Sequence, residues 1–308
     1  PADRLPDDGS DARAVASLLG LPFYDMDLSP EFRATVIDYF IREYEAGRTP
    51  NPCIACNRHL KFDAMLQKAR LLGYDYIATG HYAVIEQNSA GRWLLKKAPA
   101  SKDQSYVLYS LTQDQLAHTL MPLGAYTKPE ARRMAEEAGL RVAHKPDSQE
   151  ICFVEDNDYA GFLERYTGKK APEGDFVDAE GHVLGRHRGI THYTIGQRKG
   201  LGVSFGRPMY VTKIDAVLNR VTLGEEGSQY ASSLLADDLN FIPFDTLDKP
   251  LQVHAKVRYQ ARPAEAVLTP VEHGRVRVDF AEAQRSITPG QAVVFYDGDL
   301  VVGGGTIV

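Results

Sequence analysis

Three cysteines in 308 residues are the groups best suited to chemistry, and their spacing narrows what that chemistry is. Cys53 and Cys56 sit in Thr49-Pro50-Asn51-Pro52-Cys53-Ile54-Ala55-Cys56-Asn57-Arg58, a stretch read here as a proline-stiffened loop joining two helices. Two thiols three residues apart serve as half a zinc site, a redox pair or part of an iron-sulfur ligand set, or they are two ordinary buried thiols. The third, Cys152, follows Pro146-Asp147-Ser148-Gln149-Glu150-Ile151 and precedes Phe153. A free Cys beside Phe usually packs as a small hydrophobe. The polar run Asp147-Ser148-Gln149, in a region that also carries Cys56, raises its chemical reading. So sparse and odd a set is not the framework of a small secreted domain and fits a reducing cytoplasm.

Two further groups are candidates for binding. Thr79-Gly80-His81-Tyr82 follows the apolar run Tyr76-Ile77-Ala78-Thr79, which places it at the carboxyl end of a parallel strand, where open α/β sheets take ligands. Glycine there lets a nucleotide approach the backbone, although a plain turn with a satisfied His reads equally well. Lys102-Asp103-Gln104-Ser105-Tyr106 gathers a cation, a carboxylate and an amide, either to read phosphates and base edges or as a solvated loop. Net charge is -6, which argues against coating nucleic acid by bulk charge, but it is unevenly spread. Between Arg186 and Arg220 seven cations (Arg186, Arg188, Arg198, Lys199, Arg207, Lys213, Arg220) face one acid, Asp215, a net +6 that suits phosphates.

The elements that must position these groups alternate in the first half. Residues 11–20 have helical spacing and a closing Gly, Leu21-Pro22-Phe23-Tyr24 reads as a short strand, and Ser29-Pro30-Glu31 opens a helix ending before Gly47. A helix over about Phe62 to Leu72 feeds the strand at Tyr76, strand-like runs follow at Ala83-Ile85 and Arg92-Lys96, and Thr127-Lys128-Pro129-Glu130 is a capping box for a helix ending near Gly139. This alternation means a parallel sheet covered by helices. From about Gly161 helical periodicity fades into short alternating runs at Met209–Lys213 and Val221–Leu223. The last 80 or so residues hold five strand-like runs, Val253–Val257, Glu265–Leu268, Val276–Phe280, Ala292–Tyr296 and Leu300–Val308, which predict a small antiparallel barrel. No stretch approaches the roughly 20 apolar residues of a membrane span.

In order along the chain, Gly47-Arg48-Thr49-Pro50-Asn51-Pro52-Cys53 with Cys56-Asn57, Lys61-Phe62, Ala78–Tyr82, Lys102–Tyr106, Asp147-Ser148-Gln149 with Ile151-Cys152-Phe153, Tyr193–Gly200, and Pro289-Gly290-Gln291 before Gly303-Gly304-Gly305 closely resemble the tRNA-specific 2-thiouridylase family over nearly the whole chain. The resemblance implies an α/β, ATP-pyrophosphatase-type (adenine nucleotide alpha hydrolase-like) catalytic domain over 1–160, with a helical excursion at about 122–140 that packs with the central domain. It further implies a β-rich central tRNA-binding domain over 161–223 and a C-terminal antiparallel β-barrel over 224–308. It implies Cys56 as nucleophile and Cys152 as persulfide carrier, with Asn51, Pro52 and Cys53 on the target base and Gly80 in the ATP site. His81, Lys102, Asp103, Gln104, Arg258, Tyr259 and Gln291 would contact tRNA, joined by Arg198 and Lys199 from the cationic segment.

The implied reaction is ATP-dependent 2-thiolation of the anticodon wobble uridine: Mg²⁺ and ATP adenylate the C2 oxygen, and a persulfide supplied by a cysteine desulfurase or sulfur-relay protein delivers the sulfur. Some members carry Asp in place of Cys53, so an acid-base role there does not transfer. The family's Ser-Gly-Gly-x-Asp-Ser phosphate loop has no counterpart in this sequence. The chain is therefore expected to begin after that loop and, alone, neither to bind ATP well nor to thiolate tRNA. Two other readings stay open: an iron-sulfur cluster on Cys53, Cys56 and Cys152 driving the same thiolation, and a non-catalytic RNA-binding module stapled by zinc.

Overall fold

The computed structural model describes residues 9–99, 102–145, 151–154 and 157–308; the polar run Asp147-Ser148-Gln149 lies outside the described residues. Helix α1 (Ser10–Leu18) stops as its spacing predicts, with Gly20 in the left-handed region at φ 66° just past the cap. Leu21–Tyr24, expected as a strand, is irregular. Pro22 has no N–H to give a ladder, and the aromatic rings find other partners: Arg13 lies 4.4 Å over Phe23, and Tyr24 meets Tyr74 edge-on at 6.2 Å.

The second helix is built from α2 (Ser29–Phe32), a π-wound turn (Arg33–Ile37) and α3 (Asp38–Glu45). Its cap is Leu28 rather than Ser29, because Asp27 Oδ1 accepts from the Ser29 N–H at 2.9 Å and supplies the capping bond one residue early. The third helix corrects the expected loop. Residues from Pro52 run straight into helix as α4 (Pro52–Ala55), a π-wound segment (Cys56–Ala64) and α5 (Met65–Leu71). Asn51 is the N-cap, its side chain accepting from the Ile54 N–H at 3.3 Å, and Pro52 takes the first helical position, where a missing N–H costs nothing.

Strand β1 (Ile77–Ala78) is followed by the hairpin β2 (Ala83–Gln87) and β3 (Trp93–Lys97), then α6 (Gln113–Ala117) and β4 (Thr119–Leu120). Among the described residues the parallel sheet is the pair β1–β4, while the β2–β3 hairpin joins the C-terminal sheet through Lys96 opposite Leu300. Helix α7 (Lys128–Glu137) has the expected capping box, buries none of its residues and packs on the turn Arg141–His144. Where the sequence predicts that helical periodicity fades, α8 (Tyr159–Thr167) intervenes, capped by Asp158 and burying Ala160, Phe162 and Leu163.

The central sheet has the order β6-β5-β8-β7, from β5 (Gly174–Val177), β6 (Val183–His187), β7 (Tyr210–Asp215) and β8 (Arg220–Gly224), around Phe176, Tyr193, Val211 and Val221. The C-terminal sheet is a closed antiparallel barrel. The five expected runs are β10 (Leu251–Lys256), β11 (Ala264–Val271), β12 (Arg275–Arg285), β13 (Ala292–Asp297) and β14 (Leu300–Ile307). A sixth, β9 (Tyr230–Phe241), lies between β12 and β14, and β13–β14 pairing closes the ring. Strand β13 is apolar on both faces for a structural reason. Val293 and Phe295 fill the barrel, while Ala292, Val294 and Tyr296 join Ile54, Phe62 and Leu66 of the Pro52 helix in a second core. The barrel thus supports the helix that carries two of the three thiols.

Candidate active site

The Pro52 helix divides its faces. Ile54, Phe62 and Leu66 point into the core shared with the barrel, whereas Cys56 and Leu60 pack on an aromatic cluster made by Phe32, Phe40 and Tyr44 with Phe162 of α8. Asn57, buried beside Cys56, donates its Nδ2–H to the Val107 carbonyl at 3.0 Å and so fixes the helix rotation.

Cys152 comes to the same place on a turn, Val154 N–H bonding back to the Ile151 carbonyl at 3.0 Å. Phe153 anchors that turn: its ring lies 5.3 Å from Phe40, 5.3 Å from Phe162 and 5.7 Å from Phe32. Cys56, Ile151 and Phe153 therefore line one apolar cluster, and Cys152 is presented exposed beside it, between two anchored neighbours. All three thiols are free, and charge on Cys152 is felt at both Cys53 and Cys56. Burial pushes every one of them up, Cys56 to about 11, while the Lys61 ammonium pulls each of them down. The sequence alone assigns Lys61 no role within its motif, because i+5 spacing on an ordinary α-helix would turn it away from Cys56.

The thiols do not converge as a zinc set. Sulfurs sharing a tetrahedral zinc lie under about 4 Å apart; the three Sγ atoms here do not all come within 4.8 Å of one another, and among the described residues Asp178, Glu180 and His182 of the β5–β6 turn are the group that does.

The loop after β1 places Gly80 and His81 close to the same helix. His81 is half-buried, its ring 5.6 Å from Phe62 and its Nδ1 3.0 Å from Thr79 Oγ1. Burial, aided by the Lys61 charge, lowers it to about 4, so it is neutral at physiological pH. At Gly80 the nearest atom to an added Cβ is Leu123 Cδ1 at 3.7 Å, so the position is open rather than crowded. Gln104 ties the neighbouring loop on, its Oε1 accepting from the Tyr82 N–H at 3.0 Å and its backbone N–H donating to the Tyr82 carbonyl at 2.9 Å. Asp103 organises that loop by accepting from the N–H groups of Ser105 and Ala98 at 3.0 and 3.2 Å, and its carbonyl accepts from the Tyr259 hydroxyl at 3.1 Å. Lys102 is exposed beside them, and Tyr259 senses both Lys102 and Cys53.

Two residues expected on tRNA spend their donors within the protein. Gln291 donates Nε2–H to the Thr49 and Pro50 carbonyls at 3.0 and 3.4 Å, next to the Thr49 N–H bonded to the Pro289 carbonyl at 2.8 Å. Gly290, at φ 88°, leaves only 3.0 Å between an added Cβ and the Thr49 nitrogen, which explains glycine there. Arg258 donates to the Ser286 and Ile195 carbonyls at 2.9 and 3.3 Å and to Thr288 Oγ1 at 2.8 Å, tying the barrel to the central segment. Arg198 and Lys199, by contrast, are exposed and form no ion pair among the described residues, whereas Arg186 and Arg207 of the same cationic stretch pair with Asp175 and Glu225. No described helix is long and apolar enough to cross a membrane.

Three family models tile the chain: a tRNA methyl transferase HUP domain over residues 4–156, a tRNA methyl transferase PRC-barrel domain over 160–225 and an aminomethyltransferase beta-barrel domain over 231–307. The chain is similar to the tRNA-specific 2-thiouridylase MnmA of Acetivibrio thermocellus, at 58% identity over 96% of this chain and 83% of that protein. It is also similar to the MnmA of Clostridioides difficile, at 54% over 96% and 83%, and to MnmA 1 of Clostridium botulinum strain Loch Maree, at 54% over 97% and 84%. A HUP domain, a PRC-barrel and a closed six-stranded barrel, at this identity over nearly all of its length, place the chain in the tRNA-specific 2-thiouridylase family, whose members are tRNA sulfurtransferases.

Proposed function

We propose that the chain thiolates C2 of the wobble uridine in a tRNA anticodon, using ATP to activate the base and a persulfide on Cys152 to deliver sulfur. The observation that carries this reading is the meeting of Cys56, on a helix, and Cys152, on a separately anchored turn, at one aromatic cluster, both as free thiols. The uracil C2 oxygen is a poor leaving group, so it first attacks the α-phosphorus of ATP, forming an O–P bond and expelling pyrophosphate. Mg²⁺ accompanies the ATP phosphates as part of the substrate. The Cys56 thiolate then attacks the inner sulfur of the Cys152 persulfide. A Cys56–Cys152 disulfide forms, and the terminal sulfur leaves as hydrosulfide, adds to C2 and displaces AMP, which carries away the original oxygen. An external thiol returns two electrons to the disulfide.

In this reading Asn51, Pro52 and Cys53, at the helix start, meet the extruded base, and Gly80, where the backbone is open, lines the ATP site. His81, Lys102, Asp103, Gln104, Tyr259, Arg198 and Lys199 form the tRNA side. Arg258 and Gln291 act there by holding the loops that tRNA contacts. The domain division is that of the sequence reading, with the α7 excursion serving the central domain. A desulfurase or relay protein in the cytoplasm supplies the persulfide. The test is thiolation of unmodified tRNA by a protein that joins the family's phosphate loop to this chain, with the wild-type cysteines and as the Cys56→Ser and Cys152→Ser variants. Both substitutions are expected to abolish sulfur incorporation and to leave tRNA affinity within about twofold; sulfur transfer by Cys152→Ser would refute the persulfide role.

A further inference from the structure

Lys61 lies in the π-wound segment that begins at Cys56. In an α-helix a residue five positions on is displaced by about 140° around the axis and faces elsewhere. The i→i+5 register of π winding instead brings residue 61 round to the side of the helix that carries residue 56, and π turns recur at functional sites. Lys61 is exposed and forms no ion pair or hydrogen bond with a carboxylate among the described residues, although Asp63 sits on the same helix, where it accepts from Gln67 Nε2 at 2.6 Å. Its charge is felt by Cys53 and Cys56 on its own helix, by Cys152 on the Ile151–Val154 turn and by His81 on the loop after β1. His81 is neutral, so Lys61 is the cation common to all three thiols. A helix wound so that Lys61 comes to the side of Cys56, in a cleft whose burial otherwise disfavours anions, is arranged for an anionic sulfur.

We propose that Lys61 is a positioning residue for sulfur transfer, its ammonium holding the Cys56 thiolate before attack and the hydrosulfide that leaves Cys152 after it. The proposal rests on the reading of Cys56 and Cys152 as the sulfur pair. Its charge is in place at both stages, so the anion moves from one sulfur to the next without leaving its counterion.

The test is site-resolved alkylation of the reduced protein by iodoacetamide, followed by peptide mass mapping across pH 6 to 11, for the wild type, Lys61→Met and Lys61→Arg, with persulfide uptake by the wild type measured in parallel. Lys61→Met is expected to slow alkylation of Cys56 about tenfold at pH 8, equivalent to about one pH unit in its profile, and Lys61→Arg to restore most of it. Because Lys61 is exposed, neither variant disturbs the core, and a thermal melt checks this. An unmoved Cys56 profile in Lys61→Met, with Cys152 still taking up persulfide in the wild type, overturns the role of Lys61 alone. Failure of the wild type to take up persulfide at Cys152 overturns the sulfur-pair reading beneath it.

Discussion

At the scale of single residues the site is a set of titratable groups held away from their ordinary behaviour by burial. Cys56, pushed to about 11, is almost wholly a thiol at neutral pH. Its alkylation rate is therefore expected to climb about tenfold per pH unit through pH 8 to 10, where an unperturbed thiol would already level off. His81 has the opposite sign of consequence for stability. The unfolded chain takes up this proton below about 6.5, but the native chain only near 4. The native state then loses stability as pH falls between those values, by about 3 kcal/mol in all. Urea unfolding at pH 7 and pH 4.5 checks this: His81→Gln is expected to flatten the difference, and an equally steep loss in the variant would contradict it. The three thiols, Gly80 and His81 are legible from residue type and position along the chain. The role of Lys61 is not, because it depends on π winding that no residue type announces. Arg258 and Gln291 are implied as tRNA contacts by the family resemblance alone, and in the fold their donors are bonded to Ser286, Thr288 and Thr49.

At the scale of elements, the helix start at Pro52 and the Ile151–Val154 turn place the three thiols. Asn51→Ala removes the N-cap and is expected to cost about 1 kcal/mol while loosening the turn that carries Cys53 and Cys56, seen as a lower unfolding midpoint. Phe153→Ala is expected to cost less than the roughly 3–5 kcal/mol of a fully buried Phe, since the ring is half-buried. Because the ring also anchors Cys152, the variant should still accept a persulfide there but form the Cys56–Cys152 disulfide far more slowly; undiminished disulfide formation would show that the anchor is dispensable. The proline-rich stretch reads as a loop in sequence because Pro50 and Pro52 look like breakers, whereas Pro52 occupies the one helical position that needs no N–H. Strand β9 carries no sequence signal because its first four residues, Tyr230 to Ser233, are exposed and its middle holds Asp237-Asp238, so no alternation marks it. The capping box at Thr127 is readable because its hydrogen bonds are local.

At the scale of the molecule, the barrel is the platform and the other parts are tied to it. Strand β13 shares a core with the Pro52 helix, Gln291 and Pro289 clamp the Arg48–Asn51 turn, Arg258 reaches the central segment, and Arg58 pairs with Asp238 of β9 beside an inter-element cleft of about 750 Å³. Long-range ties of this kind have no sequence signature, which is why the barrel is legible as a barrel but not as the support of the site. The exposed Arg198 and Lys199, without ion pairs among the described residues, are where phosphates would dock. Replacing both with Ala is expected to weaken tRNA binding and reduce the slope of log affinity against log salt by roughly 0.7–0.9 for each phosphate no longer neutralised. An unchanged slope would exclude them.

In the proposed reaction Cys152 receives sulfur and Cys56 releases it. Peptide mass mapping of the reduced, metal-free protein after brief exposure to a persulfide donor tests it most directly. One added sulfur on Cys152 that gives way to a Cys56–Cys152 disulfide is the expected result; no added sulfur at Cys152, or a Cys53–Cys56 bond in its place, would refute the pairing.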